Sequence, residues 1–144
     1  MRRSKTSATY LKTKIMTASP GELMVMMYNG AVNFCERARE KMLAREFSES
    51  CDLIVRAENI LMELSAGLRK DVYPELVGNL ARLFEFVFHR LFEANVSQDP
   101  QKLLDAVGVL TVLRDTWIEA IQKEADAPSE SVEQPPATGL ELSA

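Results

Sequence analysis

From Pro20 onward the apolar positions recur at intervals of three and four, the signature of one face of an α-helix. The first such stretch, residues 20–43, aligns Leu23, Met26, Met27, Ala31, Phe34, Ala38 and Met42. The second, 48–68, aligns Leu53, Ala57, Ile60, Leu61, Leu64 and Leu68. The third, 74–95, aligns Leu76, Leu80, Leu83, Val87, Leu91 and Ala94, and the fourth, 100–125, aligns Leu103, Val107, Leu110, Leu113, Trp117 and Ile121. No stretch keeps a period of two, and Asn29-Gly30 lies inside a helical pattern, so no strand is expected.

Proline and its neighbours punctuate these stripes. Ser19-Pro20-Gly21-Glu22 reads as a capping box with Pro at the first helical position. Asp99-Pro100 is a cap residue followed by Pro, and Pro74 follows Asp71 and a loop. Pro128, Pro135 and Pro136 instead share residues 126–144 with Ser, Glu and Gly, a composition that builds no packed element. Short connections between long helices make neighbours antiparallel. The expected architecture is therefore all-α: an antiparallel up-down four-helix bundle over 20–125. A basic arm, 1–19, precedes it with a short helical piece around 7–16, and a disordered tail, 126–144, follows.

A four-helix bundle needs one apolar stripe per helix, and this chain has more. The first helix adds Met24, Tyr28, Val32 and Cys35; the second adds Ile54, Val55 and Met62. The third adds Val77, Phe84, Phe86, Phe88 and Phe92; the fourth adds Leu104, Val109, Val112 and Ile118. Part of this surplus is a wide core stripe, and the rest leaves apolar grooves suited to amphipathic helices of a partner. Seven methionines, three of them within 24–27, fit a surface that adapts its packing.

Composition narrows the chemistry. The 144 residues make one domain, with 47% apolar and 26% charged residues, large enough for a core without disulfides or metal. One histidine, His89, and two cysteines, Cys35 and Cys51, exclude His-based zinc sites and four-cysteine sites. Glu85 and His89, four apart, are at most two ligands where three or four are needed. No Gly-rich phosphate loop is present, so neither an enzymatic activity nor a cofactor is expected. The longest apolar run, Leu23–Tyr28, is six residues, too short for membrane insertion, and no apolar segment follows the basic arm to form a signal peptide. A cytoplasmic protein with free thiols is expected. The net charge of −4 is uneven: residues 1–19 carry five basic residues and no acid, while 126–144 carry four acids and no base. Five basic charges without a stacking series or reading motif do not make a nucleic-acid interface.

Several segments, in order, resemble one family. Tyr10-Leu11, Thr17-Ala18-Ser19-Pro20-Gly21-Glu22-Leu23 and Met27-Tyr28-Asn29-Gly30-Ala31 are similar to the start of the flagellar secretion chaperones known as FliS. Asn59–Leu64, Asn79–Phe84, Arg90–Asn95 and Leu113-Arg114-Asp115-Thr116-Trp117 continue the similarity, which covers about residues 8–122. The resemblance implies a cytoplasmic helical chaperone. It would hold the C-terminal segment of flagellin in apolar surface grooves, prevent premature polymerisation and help deliver it to the flagellar type III export apparatus. It also implies that the arm around Tyr10 covers part of that surface when no client is bound. The client surface is then expected to use Tyr10, Leu11 and Ile15 of the arm, with Met24, Tyr28, Val55, Met62, Phe84, Phe88, Leu104 and Val112 of the bundle. Asn29 stands where the family usually has Asp, and Phe84 and Phe86 where it often has Tyr. The alternative reading is a bundle that uses its surplus faces as a homodimer, or as an adaptor for a regulator, without flagellin as client.

Overall fold

The computed structural model describes residues 2–68 and 74–126. They form five helices: α1 (Arg2–Thr17), α2 (Pro20–Leu43), α3 (Phe47–Ala66), α4 (Pro74–Ser97) and α5 (Pro100–Asp126), with no strand among the described residues. The expected helical piece in the arm is longer than its sequence pattern suggests, and it starts at Arg2. The expected disordered tail lies outside the described residues, apart from Asp126 at the end of α5.

Local chemistry accounts for the helix ends. At the start of α2, Ser19 Oγ accepts from Glu22 N at 3.2 Å, and Glu22 Oε1 accepts from Ser19 N at 2.9 Å, so both halves of the capping box are made. These hydrogen bonds hold the Glu22 carboxyl below its ordinary pKa. At the end of α2, Arg45 turns into the left-handed region (φ 63°); Glu46 N then donates to Lys41 O and Arg45 N to Met42 O, closing the last carbonyls. Before α5, Asp99 Oδ1 accepts from Gln101 N at 3.0 Å.

Four of the helices pack in a closed circuit. α2 lies against α3 and α5, and α4 lies against α5 and, through the thinnest seam, α3. Specific contacts set the directions. A Cβ on Gly21 would sit 3.0 Å from Ile121 Cδ1, and Trp117 Nε1 donates to Gly21 O at 2.9 Å, so the start of α2 meets the end of α5. Arg114 Nη1 donates to Asn29 Oδ1 at 3.0 Å farther along the same seam. A Cβ on Gly30 would lie 3.2 Å from Ile60 Cδ1, so glycine permits the close approach of α2 and α3. Glu93 and Asp105 draw Arg90 and Lys102 across the α4–α5 seam.

The core shows a 3-4-3-4 spacing in every one of these helices. In α2 it is Met24, Tyr28, Ala31, Cys35, Ala38 and Met42; in α3, Ser50, Ile54, Ala57, Leu61 and Leu64. In α4 it is Phe84, Val87, Leu91 and Ala94; in α5, Leu103, Ala106, Leu110 and Leu113. Ala31, Ala38 and Met42 on α2 and Val87, Leu91 and Ala94 on α4 are buried as the sequence leads one to expect, but other positions in each helix are corrected: Ile54 is sealed where Ile60 is half-buried, and Ala106 where Val107 is half-buried. Leu23, Met26 and Met27 are only half-buried, while their neighbours Met24, Tyr28 and Cys35 are sealed. In α4, Leu83 is 39% exposed and Phe84 only 1%. Two apolar stripes one residue apart share Ala31, Ala38 and Ala94, so periodicity is satisfied by either, and packing against the neighbouring helices selects the one that seals Met24 and Phe84.

Candidate functional site

Of the eleven positions expected on the client surface, three are not surface at all. Met24, Tyr28 and Phe84 are 0%, 2% and 1% exposed and sit in one apolar cluster. As placed, they hold the surfaces in position rather than offer themselves to a partner. Burial pushes the Tyr28 hydroxyl and the Cys35 thiol each up to about 12. Phe88 is half-buried and packs on the core. Val55, Met62, Leu104 and Val112 are exposed, as are Tyr10, Leu11 and Ile15.

These exposed positions fall on separate faces. On α3, Val55 follows Cys51 by four residues and Met62 follows Val55 by seven, so the three keep one flank. Gln98 Nε2 lies 3.8 Å from Cys51 Sγ and 3.0 Å from Asn95 O, which turns that flank of α3 toward α4. On α4, Phe92 and Phe88 precede Asn95 by three and seven residues, on the same flank. The thin α3–α4 seam is thus bordered by Val55, Met62, Phe88 and Phe92, with Val96 exposed one turn beyond. Phe92, 62% exposed, counted in the sequence only among the surplus apolar residues, and Val96, which the sequence did not single out, belong to this surface. Their stripe spacing was visible, but not which flank of α4 faces a seam.

A second face belongs to α5. Leu104, Gly108 and Val112 stand at intervals of four along its outer side, and a Cβ on Gly108 would meet nothing within 4 Å. A third feature is an open cleft of about 400 Å3 where α1, α2 and α5 come together. Val25, Met26, Ile118 and Ile121 supply its apolar walls; Lys14, Glu22, Asn29 and Gln122 supply polar groups. Met26 and Ile121 read as core from periodicity alone, and they line the cleft because α1 leaves room beside them.

α1 itself has no extended packing partner among the described helices. Tyr10 is 68% exposed and Met16 75%. The end of the arm, Lys14, Thr17 and Ala18, adjoins Ile118 and Ile121 of α5 at the cleft.

The departures from the family pattern have structural accounts. Asn29 Oδ1 accepts from Arg114 Nη1 at 3.0 Å, a neutral acceptor where an aspartate would be a charged one. Phe84 lies where a hydroxyl would need a buried partner, and Phe86 lies under Arg90, whose guanidinium carbon is 5.0 Å from the ring centroid.

No group of three or more His, Cys, Asp or Glu side chains that could hold a metal occurs among the described residues. None of the described helices is long and apolar enough to cross a membrane. His89 Nδ1 lies 3.3 Å from Glu93 Oε1, at the exposed edge of the α4–α5 ion-pair group.

Comparison with known proteins agrees with the resemblance read from the sequence. Residues 3–124 match the family described as flagellar protein FliS. The chain is 31% identical to the flagellar secretion chaperone FliS of Bacillus subtilis over 115 residues, 80% of this chain and 85% of that protein. It is 29% identical to the protein of the same name from Salmonella typhimurium, covering 74% of this chain and 80% of that one. With the flagellar secretion chaperone FliSB of Pseudomonas aeruginosa it shares 30% identity over 74% of this chain and 85% of the relative.

Proposed function

The chain belongs to the FliS family of flagellar proteins, and from that premise we propose that it is a cytoplasmic export chaperone whose client is the C-terminal segment of flagellin. The observation that carries this reading is the set of large apolar side chains left outside a sealed core. Val55, Met62, Phe92 and Val112 are between 45% and 63% exposed on helices whose opposite faces are fully buried. In this reading α2–α5 form an antiparallel up-down four-helix bundle that serves as a rigid support, and the client supplies the missing apolar cover.

The mechanism is burial without chemistry. A flagellin segment that is amphipathic but alone cannot bury its apolar face; on the chaperone it lays that face along the α3–α4 seam and the outer side of α5. Ordering such a segment costs about 2–5 kcal/mol. At about 25 cal/mol per Å2, about 80–200 Å2 of apolar burial offsets that cost, and several hundred more offsets the lost freedom of two molecules. One side chain cannot supply this, so the contact runs over more than one face. The residues hidden by such a contact are then unavailable for polymerisation, and the complex is delivered to the type III export apparatus. No nucleotide or cofactor takes part.

The test is titration calorimetry with a flagellin C-terminal peptide, with light scattering on the same samples. Val55→Asp and Val112→Asp should retain the helical signal and melting behaviour of the parent and weaken peptide binding at least tenfold each. A 1:1 complex is expected. Unchanged binding in both variants would refute the assignment of these faces, and a dimer indifferent to the peptide would favour the homodimer reading.

A further inference from the structure

Two glycines of α2 lie under isoleucines. A Cβ on Gly30 would sit 3.2 Å from Ile60 Cδ1 of α3, and one on Gly21 would sit 3.0 Å from Ile121 Cδ1 of α5. In both places the missing side chain makes a seat, and the aliphatic tip of a neighbouring helix fills it. Gly108 is a third helical glycine, in the interior of α5, but no atom of the described residues comes within 4 Å of where its Cβ would be. No turn, cap or positive φ calls for glycine there. Relative to alanine it weakens the helix, and the packing of this chain returns nothing for that loss.

The neighbours of Gly108 give this seat its chemistry. Leu104 and Val112, one turn to either side, are 41% and 63% exposed. The Thr111 hydroxyl donates to Val107 O and Gly108 O at 2.9 and 3.0 Å, so its proton is turned onto the helix rather than outward. Asp115 and Glu119 continue the same row, three and seven residues beyond Val112, with side chains 65% and 70% exposed. Each has one basic neighbour beside the row, Arg114 Nε at 3.1 Å and Lys123 Nζ at 3.8 Å, and the row itself contains no basic residue. The two carboxylates lie about 10 and 16 Å from Gly108 along the helix axis.

We propose that Gly108 is a specificity-determining position of the client surface. It seats the tip of one isoleucine or leucine of the bound segment between Leu104 and Val112, while a basic residue of that segment faces Asp115 and Glu119. The inference rests on the reading of flagellin's C-terminal segment as client, and adds which residue of α5 selects it and by which side chains. A segment with an acidic residue in place of the base would meet like charge along the row and be rejected.

Titration calorimetry of the full-length protein with a flagellin C-terminal peptide tests it. Gly108→Ala should melt no lower than the parent yet bind the peptide about tenfold more weakly, because one added methyl overfills the seat. Gly78→Ala makes the same change on α4, also with open space around the new carbon, and should bind as the parent does. Replacing each Ile and Leu of the peptide by Ala in turn should find one position that costs about tenfold against the parent and little against Gly108→Ala, whose seat is already closed. The double variant Asp115→Asn, Glu119→Gln should bind several-fold more weakly and lose most of the salt dependence of the parent. A parent that does not bind the peptide would overturn the client reading and this inference with it. Binding weakened by Val112→Asp but untouched by Gly108→Ala would overturn this inference and leave the client reading standing. Self-association of the parent that Gly108→Ala abolishes would also overturn it and give the seat to a second copy of the chain.

Discussion

Phe84 and Phe92 lie on the same helix, eight residues apart, and are the same residue type, yet one is 1% exposed and the other 62%. Truncating each to alanine isolates burial from chemistry. For Phe84→Ala the ring leaves a space lined by the core cluster, and such replacements cost about 3–5 kcal/mol. For Phe92→Ala little apolar surface returns to water. Alanine also has the better helix propensity by a few tenths of a kcal/mol, so the net change is within about 0.5 kcal/mol. Thermal unfolding followed by circular dichroism reads the difference. At about 3–4 °C per kcal/mol for a chain of this size, Phe84→Ala should melt about 9–20 °C below the parent and Phe92→Ala within about 2 °C of it. Urea midpoints should give the same order with unchanged slopes. Flagellin binding should show the opposite order once both proteins are studied below their melting range: Phe92→Ala weakens it and Phe84→Ala, while folded, does not. Equal losses of stability in the two variants would refute the division of α4 into a sealed flank and an open one.

Stability should fall in alkali, because Cys35 and Tyr28 are held neutral by burial. Each titrates near 12 when folded and near 9 and 10 when unfolded, so their contribution is complete below about pH 9 and is lost as pH rises toward 12. Urea midpoints at pH 7 and pH 10.5 should differ in that direction, and Cys35→Ala should reduce the difference; a flat profile would contradict it. Ser50 is fully buried and its hydroxyl has no partner among the described residues, so Ser50→Ala should stabilise by about 1–2 kcal/mol in urea unfolding, and destabilisation would contradict this. Gly108 and Gly78 have open space where a Cβ would go, so each glycine-to-alanine change should add about 0.5–1 kcal/mol. Gly21→Ala and Gly30→Ala meet Ile121 and Ile60 and should gain nothing, as differential scanning calorimetry of the four variants would show.

The sequence determined the four long helices and the starts of α2 and α5. Ser19-Pro20-Gly21-Glu22 marks the start of α2 through hydrogen bonds within four residues, and Asp99-Pro100 marks the start of α5 in the same way. Such signals are local, so no tertiary knowledge is needed to read them. The family was legible for a related reason: its ordered segments are short strings that survive at about 30% identity. Tertiary structure alone decided which way each helix is turned. Leu23 and Met24, or Leu83 and Phe84, are adjacent and both apolar, and periodicity is satisfied by either stripe. Only the fit of α2 and α4 between their neighbours puts Met24 and Phe84 inside. The same fit exposes Phe92 and opens the cleft beside Met26 and Ile121. A binding surface on a helical bundle is what remains after the core has taken its side chains, so it is set by packing between helices rather than by any pattern within one.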